Sequence, residues 1–144
     1  MNRTKIWGLA AALAVAGSVV AQGSGKAVIA PKGDLKWSDA GIPGVTKAPV
    51  DGDMAKGASH FFWSYPAGFV TPVHHHSADH YVTTISGSLV LITDGKEHPL
   101  PPGSFFALTG KASHSARCES KEPCVMLIDA RGPWDIVPEA DAKH

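Results

Sequence analysis

Residues 68–87 read GFVTPVHHHSADHYVTTISG, and four of the chain's eight histidines fall within seven of these positions: His74, His75, His76 and His80. Along an extended strand successive side chains alternate between faces. His74 and His76 therefore share a face, and His75 points to the other. His80, Val82 and Thr84 share a face of the strand that follows. If the two faces are continuous, three imidazoles meet on one side of a sheet. Imidazole nitrogens in that arrangement suit a borderline divalent metal such as Fe, Zn, Mn, Ni or Cu. Gly68 and Gly87 frame the stretch and read as turn residues that need permissive backbone angles.

Working outward, the rest of the chain carries the same short-strand rhythm. Runs rich in β-branched and aromatic residues recur every 8–12 positions between Gly, Pro and Asp clusters. They predict strands over 58–65, 69–76, 80–86, 88–93, 96–100, 104–108, 114–118 and 124–130. Thr93-Asp94-Gly95 is hairpin-turn chemistry, and LPPGS over 100–104 is a tight turn with proline pre-setting φ. No amphipathic helix of three or more turns is evident. The pattern predicts an all-β single domain: a sandwich, a barrel or a jelly roll. Residues 22–53 read as a tail and a loop-rich arm, which Leu35 and Trp37 pin to a sheet. The β domain then spans 54–138 and a short tail 139–144.

His114 opens the seventh predicted strand and is the natural fourth member of the histidine set. A tetrahedral set of four protein ligands would be a closed structural zinc site, whereas a set with open positions would be catalytic; strand parity leaves both open. His75 reads as a bystander, His60 as a pocket-side or structural residue, and His98 and His144 as exposed. Phe61, Trp63, Phe69, Phe105 and Leu108 read as barrel packing, and Tyr65 and Tyr81 as candidate pocket hydrogen-bond donors. Asp79 and Lys111 read as solvated charges.

The N-terminus, MNRTKIWGLAAALAVAGSVVAQG, has Arg3 and Lys5, an apolar run and small residues before Ala21. This is the build of a secretory signal peptide cleaved after residue 21, with periplasmic or secreted localisation and no membrane association after cleavage. Removal of Arg3 and Lys5 takes the formal charge from +0 to about −2. No basic patch interleaved with aromatics appears, so nucleic acid is not an expected partner. Cys118 and Cys124, the two cysteines of the chain, fit an oxidising compartment and predict a disulfide closing a hairpin loop.

The histidine stretch resembles the first motif of the cupin family, G-x5-H-x-H-x3,4-E-x6-G. Gly68, His74, His76 and Gly87 occupy its fixed positions, and His80 stands where the family has glutamate. Residues 103–114 resemble the second motif, G-x5-P-x-G-x2-H: Gly103 and His114 are in place, with Thr109-Gly110-Lys111 where the family has Pro-x-Gly. The likeness spans roughly 58–130 and is nearest to small exported cupins, similar to the ChrR-type cupin module. It implies a double-stranded β-helix (jelly-roll barrel) holding one divalent transition metal, with His74, His76 and His114 as ligands and His80 in the carboxylate position. It also implies a small-molecule ligand or substrate and a homodimer built through the sheets. Three functions remain open at this point: a dioxygenase acting on a small enolisable or phenolic substrate, a non-catalytic metal- or ligand-binding or sensing module, and an O2-independent isomerase or cyclase.

Overall fold

A computed structural model describes residues 25–139; the expected signal segment 1–21, the tail beyond 139 and His144 lie outside the described residues. After a 3-10 turn at Lys32–Asp34 come β1 (Ser38–Asp39), β2 (Thr46–Gly52), β3 (Ser59–Tyr65), β4 (His74–His75), β5 (His80–Ser86), β6 (Leu89–Thr93), β7 (Lys96–Leu100), β8 (Phe105–Leu108), β9 (Ser115–Cys118), β10 (Cys124–Ala130) and β11 (Val137–Pro138). They form a six-stranded sheet in the order β1-β2-β3-β10-β5-β8, a three-stranded sheet β7-β6-β9 and a small pair β11-β4. Every pairing is antiparallel. The protein is a jelly-roll barrel, as the strand rhythm and the motifs predict.

Alternation builds the core. β10, CVMLIDA, buries every second residue, and its Ile128 lies between Phe61 of β3 and Val82 of β5. Phe61, Trp63, Val82, Met126 and Ile128 face Leu89, Ala116 and Cys118 of the opposite sheet. In β5 the inward set is His80, Val82 and Thr84, so the apolar face of the core runs without a break into a histidine. Asp94 (φ 50) and Gly95 (φ 70) form the two-residue turn of the β6–β7 hairpin. Positive φ at both central positions matches the twist of such hairpins.

Three expectations change. The strand predicted over 69–76 shrinks to His74–His75. Proline has no N–H for a ladder, and Pro72 interrupts this one; what survives is Val70 bridging Arg117 and His74 bridging His114. The arm is more than loop: β2 pairs along β3, with a register shift between Pro49 and Asp51, and buries Ala48. Trp37 lies against Phe62, ring centroids 6.4 Å apart, so the arm is indeed pinned. Finally, Cys118 and Cys124 are joined as a disulfide, but β9 and β10 belong to different sheets. The bond therefore staples the two sheets and closes no hairpin. It sits directly under Gly87 (φ 82), where a Cβ would come within 2.8 Å of the Cys124 Sγ.

Lys111, in the position of the second motif's glycine, has φ 67. A non-glycine residue in this left-handed region costs about 1–2 kcal/mol. Part of that is offset in Lys111→Gly by the greater freedom of glycine in the unfolded chain. Lys111→Gly should raise stability by about 0.5–1 kcal/mol, a Tm gain of roughly 2–4 °C. Thermal unfolding followed by circular dichroism checks it, and a lower Tm would contradict it.

Candidate metal centre

His74 sits on β4 and His114 immediately before β9, and the two face each other across an antiparallel bridge. The N–H of each donates to the carbonyl of the other at 2.9 Å. Two backbone hydrogen bonds thus hold residues from the two motifs side by side, with ring centroids 4.3 Å apart. His76 follows on the same face. Its carbonyl accepts the Lys111 N–H at 2.8 Å, so the unusual backbone at Lys111 serves the site. The potential ligand atoms of His74, His76 and His114 all lie within 4.8 Å of one another. His80 comes from β5, in a different sheet, and packs against this triad: its ring centroid is 4.6 Å from His76 and 5.8 Å from His114. All four are buried.

The outward nitrogens decide the chemistry. His74 Nδ1 contacts Pro72 O at 2.9 Å, His114 Nδ1 contacts Ala112 O at 2.9 Å, His80 Nδ1 contacts Ala78 O at 3.4 Å, and His76 Nδ1 contacts Asp135 O. A carbonyl oxygen only accepts, so in each ring Nδ1 carries the proton and Nε2 keeps its lone pair. Histidines that bind metals are oriented in this way. Burial also pushes all four imidazoles below their ordinary 6.5, His76 to about 3 and His114 to about 4. The rings are neutral, as metal ligation requires. Buried neutral imidazoles with tautomers fixed by backbone carbonyls fit a divalent transition ion.

The chamber beside the histidines is about 30 Å³ and walled by Tyr65, Val82, Leu89, Phe106, Met126 and Trp134. Among the described residues, no carboxylate lines it. Asp135 turns its carboxylate to the Ser77 N–H and hydroxyl. Burial pushes this acid up, but the Ser77 bonds more than offset that, leaving it below the ordinary range. Glu139 accepts from the Ser113 hydroxyl and from His75 Nδ1, which together lower it. Asp79, expected to be a solvated charge, accepts the Gly110 N–H at 2.7 Å. Burial pushes the Tyr65 hydroxyl up to about 12, so it stays protonated.

The remaining candidates separate cleanly. His75 is the outward bystander expected from parity, bonded to Glu139. His60 faces outward between Asp51 at 3.7 Å and Asp129 at 3.5 Å, away from the chamber. His98 lies near the Thr93 hydroxyl on the surface. Tyr81 is no pocket residue: it lies on the outer face, under the Arg131 guanidinium and beside Phe105. Phe105 is 60 % exposed and packs no barrel core; its neighbour Phe106 lines the chamber instead. Sequence reading passed over Trp134 and Asp135. The only local signal is a tryptophan after Gly-Pro in a polar stretch. Trp134 stacks on His76 with centroids 4.0 Å apart.

Gly110 closes the loop between the two halves of the site. A Cβ there would lie 2.4 Å from the Ser77 carbonyl oxygen, next to His76. Gly110→Ala should therefore cost about 1–3 kcal/mol and weaken metal binding by displacing His76. Denaturant unfolding and zinc titration check the two effects; an unchanged variant would show that the loop yields freely.

An antiparallel jelly roll with a buried histidine triad on its inner wall defines a double-stranded β-helix protein with an internal metal-type centre. The chain belongs to the cupin superfamily: the Cupin domain family model matches residues 61–128. Among solved structures, it is similar to KdgF from Halomonas sp., with TM-score 0.61 and 19% identity, covering 82% of this chain and 97% of that one. It is also similar to the polyketide cyclase RemF from Streptomyces resistomycificus, with TM-score 0.67 and 17% identity, covering 82% and 89%. A third is a sugar phosphate isomerase of the cupin superfamily from Silicibacter pomeroyi, with TM-score 0.53 and 23% identity, covering 64% and 62%. No curated protein sequence matches the chain.

Proposed function

We propose that this cupin is an exported metalloenzyme acting on a small enolisable or phenolic molecule, with His74, His76 and His114 holding one divalent transition metal and His80 completing an all-histidine set. The observation that carries this reading is the fourfold pairing of Nδ1 with backbone carbonyls, which presents neutral Nε2 atoms in one buried cluster. Export is supported by the N-terminal segment of the sequence and by the Cys118–Cys124 disulfide.

When bound, the metal would supply Lewis acidity and, as iron or copper, an electron path to O2. The protein's own residues define the substrate. The apolar and aromatic walls leave room for little more than one water beside the histidines. Tyr65 remains protonated and can donate a hydrogen bond but take no proton. With the nearby carboxylates of Asp135, Glu139 and Asp79 committed elsewhere, the chamber has no strong protein base among the described residues. A substrate must bring its own acidic proton, as an enol or a phenol does. Dioxygenation, with both atoms of O2 entering the substrate, is the first reading. The cyclase and isomerase among the fold relatives support O2-independent rearrangement as the second.

The test is metal analysis of protein purified from the periplasm, followed by an oxygen-uptake screen with β-diketones and catechols. Iron or copper with uptake supports the first reading. Product formation without uptake supports the second. Tightly bound zinc with neither outcome would leave a binding module and overturn the enzyme.

A further inference from the structure

The chamber beside the histidines, about 30 Å³, holds little more than a water. A larger groove of about 450 Å³ lies next to it, within the size range of small-ligand sites. The arm and the following loop supply Ala40, Ile42 and Met54 to its walls; the barrel and its C-terminal segment supply Trp63, Trp134 and Ile136. The Trp134 N–H donates to the Met54 carbonyl at 2.7 Å, tying one wall to the other. Trp134 lines both spaces, so it is the partition between the groove and the histidines.

One polar feature distinguishes this groove from a plain apolar cleft. Lys47 reaches the groove from β2, and no ion pair engages it among the described residues. Among the described residues the lining has one acid, Asp135, whose carboxylate accepts from the Ser77 N–H and hydroxyl. Apolar walls that include an indole ring, with a cation that no ion pair engages among the described residues, are complementary to a planar aromatic anion.

We propose that this groove binds a small planar aromatic or conjugated carboxylate, its ring against Trp134 and Met54 and its carboxylate at Lys47. The groove thereby names a substrate class for the centre proposed above and rests on that reading for any catalytic consequence. Binding itself does not require the metal.

The experiment uses trans-cinnamate and its uncharged amide, titrated calorimetrically into metal-free and zinc-loaded protein. The indole N–H resonances are followed by NMR. Cinnamate should bind both forms with Kd of about 0.1–1 mM and shift the Trp134 indole signal. The amide should bind at least roughly tenfold more weakly. Lys47→Met should remove the difference between acid and amide. No saturable binding to about 10 mM, equal binding of acid and amide, or shifts confined to Trp37 would overturn the proposal. Zinc titration alone separates the two ideas. Zinc binding without cinnamate binding sinks only the groove, and cinnamate binding without zinc binding sinks only the metal centre.

Discussion

Alanine at His74 is expected to abolish stoichiometric metal binding, with zinc affinity falling on the order of 10³-fold. His74 belongs to the close triad and is locked to His114 by paired backbone hydrogen bonds. Its loss takes away a ligand that no neighbour can replace without breaking the bridge. His80→Ala should do less, about 10- to 100-fold, because His80 reaches the cluster from another sheet and its Nδ1 contact with Ala78 is the longest of the four at 3.4 Å. Calorimetric zinc titration of both variants, with circular dichroism to verify folding, measures the contrast. Equal losses would place His80 on the same footing as the triad. An unchanged His80→Ala affinity would leave a three-histidine site, and an unchanged His74→Ala affinity would refute the centre.

Acid should unfold the metal-free protein unusually early. All four chamber histidines have folded pKa values below the unfolded 6.5, with His76 near 3 and His114 near 4. The sign follows from proton counting. Below pH 6.5 the unfolded chain takes up protons that the native chamber refuses, so stability falls as pH falls. It is fully present above about pH 7 and stops falling on this account only near the folded values. Each histidine contributes a slope of about 1.4 kcal/mol per pH unit within its window. Several together can exhaust the 5–15 kcal/mol typical of a domain. Urea unfolding between pH 7.5 and 4.5 should show the midpoint dropping steeply below pH 6, and His76→Phe should flatten the slope. A midpoint that does not change with pH would mean that the chamber opens to water.

Parity made much of the centre legible before any coordinates. It separated His74 and His76 from His75 and put His80 in register with Val82 and Thr84, because burial on one face of a strand is a local property. Local composition likewise marked β10, and turn chemistry the Asp94-Gly95 hairpin, because both are properties of neighbouring residues. It failed where the deciding contact is remote. β2, TKAPVDG, is turn chemistry in composition, and only the offered edge of β3 makes it a strand. Phe105 and Phe106 are adjacent aromatics, one of which must face outward; the local pattern does not say which. Pro72 interrupts a run whose composition otherwise favours a strand. Trp134, Asp135 and Glu139 were invisible because their partners lie far upstream: Asp135 meets His76 across a separation of 59 residues, and Glu139 meets His75 across 64.

That separation has a consequence for how the centre comes into being. The histidine stretch is made early, but the carbonyl that orients His76, the indole that covers it and the acid that holds His75 all arrive with residues 134–139. A growing chain that has produced both motifs still lacks these fasteners, so a selective site matures only once that late segment has docked. Metal choice would then belong to the place where the finished chain folds, and an ion held there would be a record of that compartment's supply.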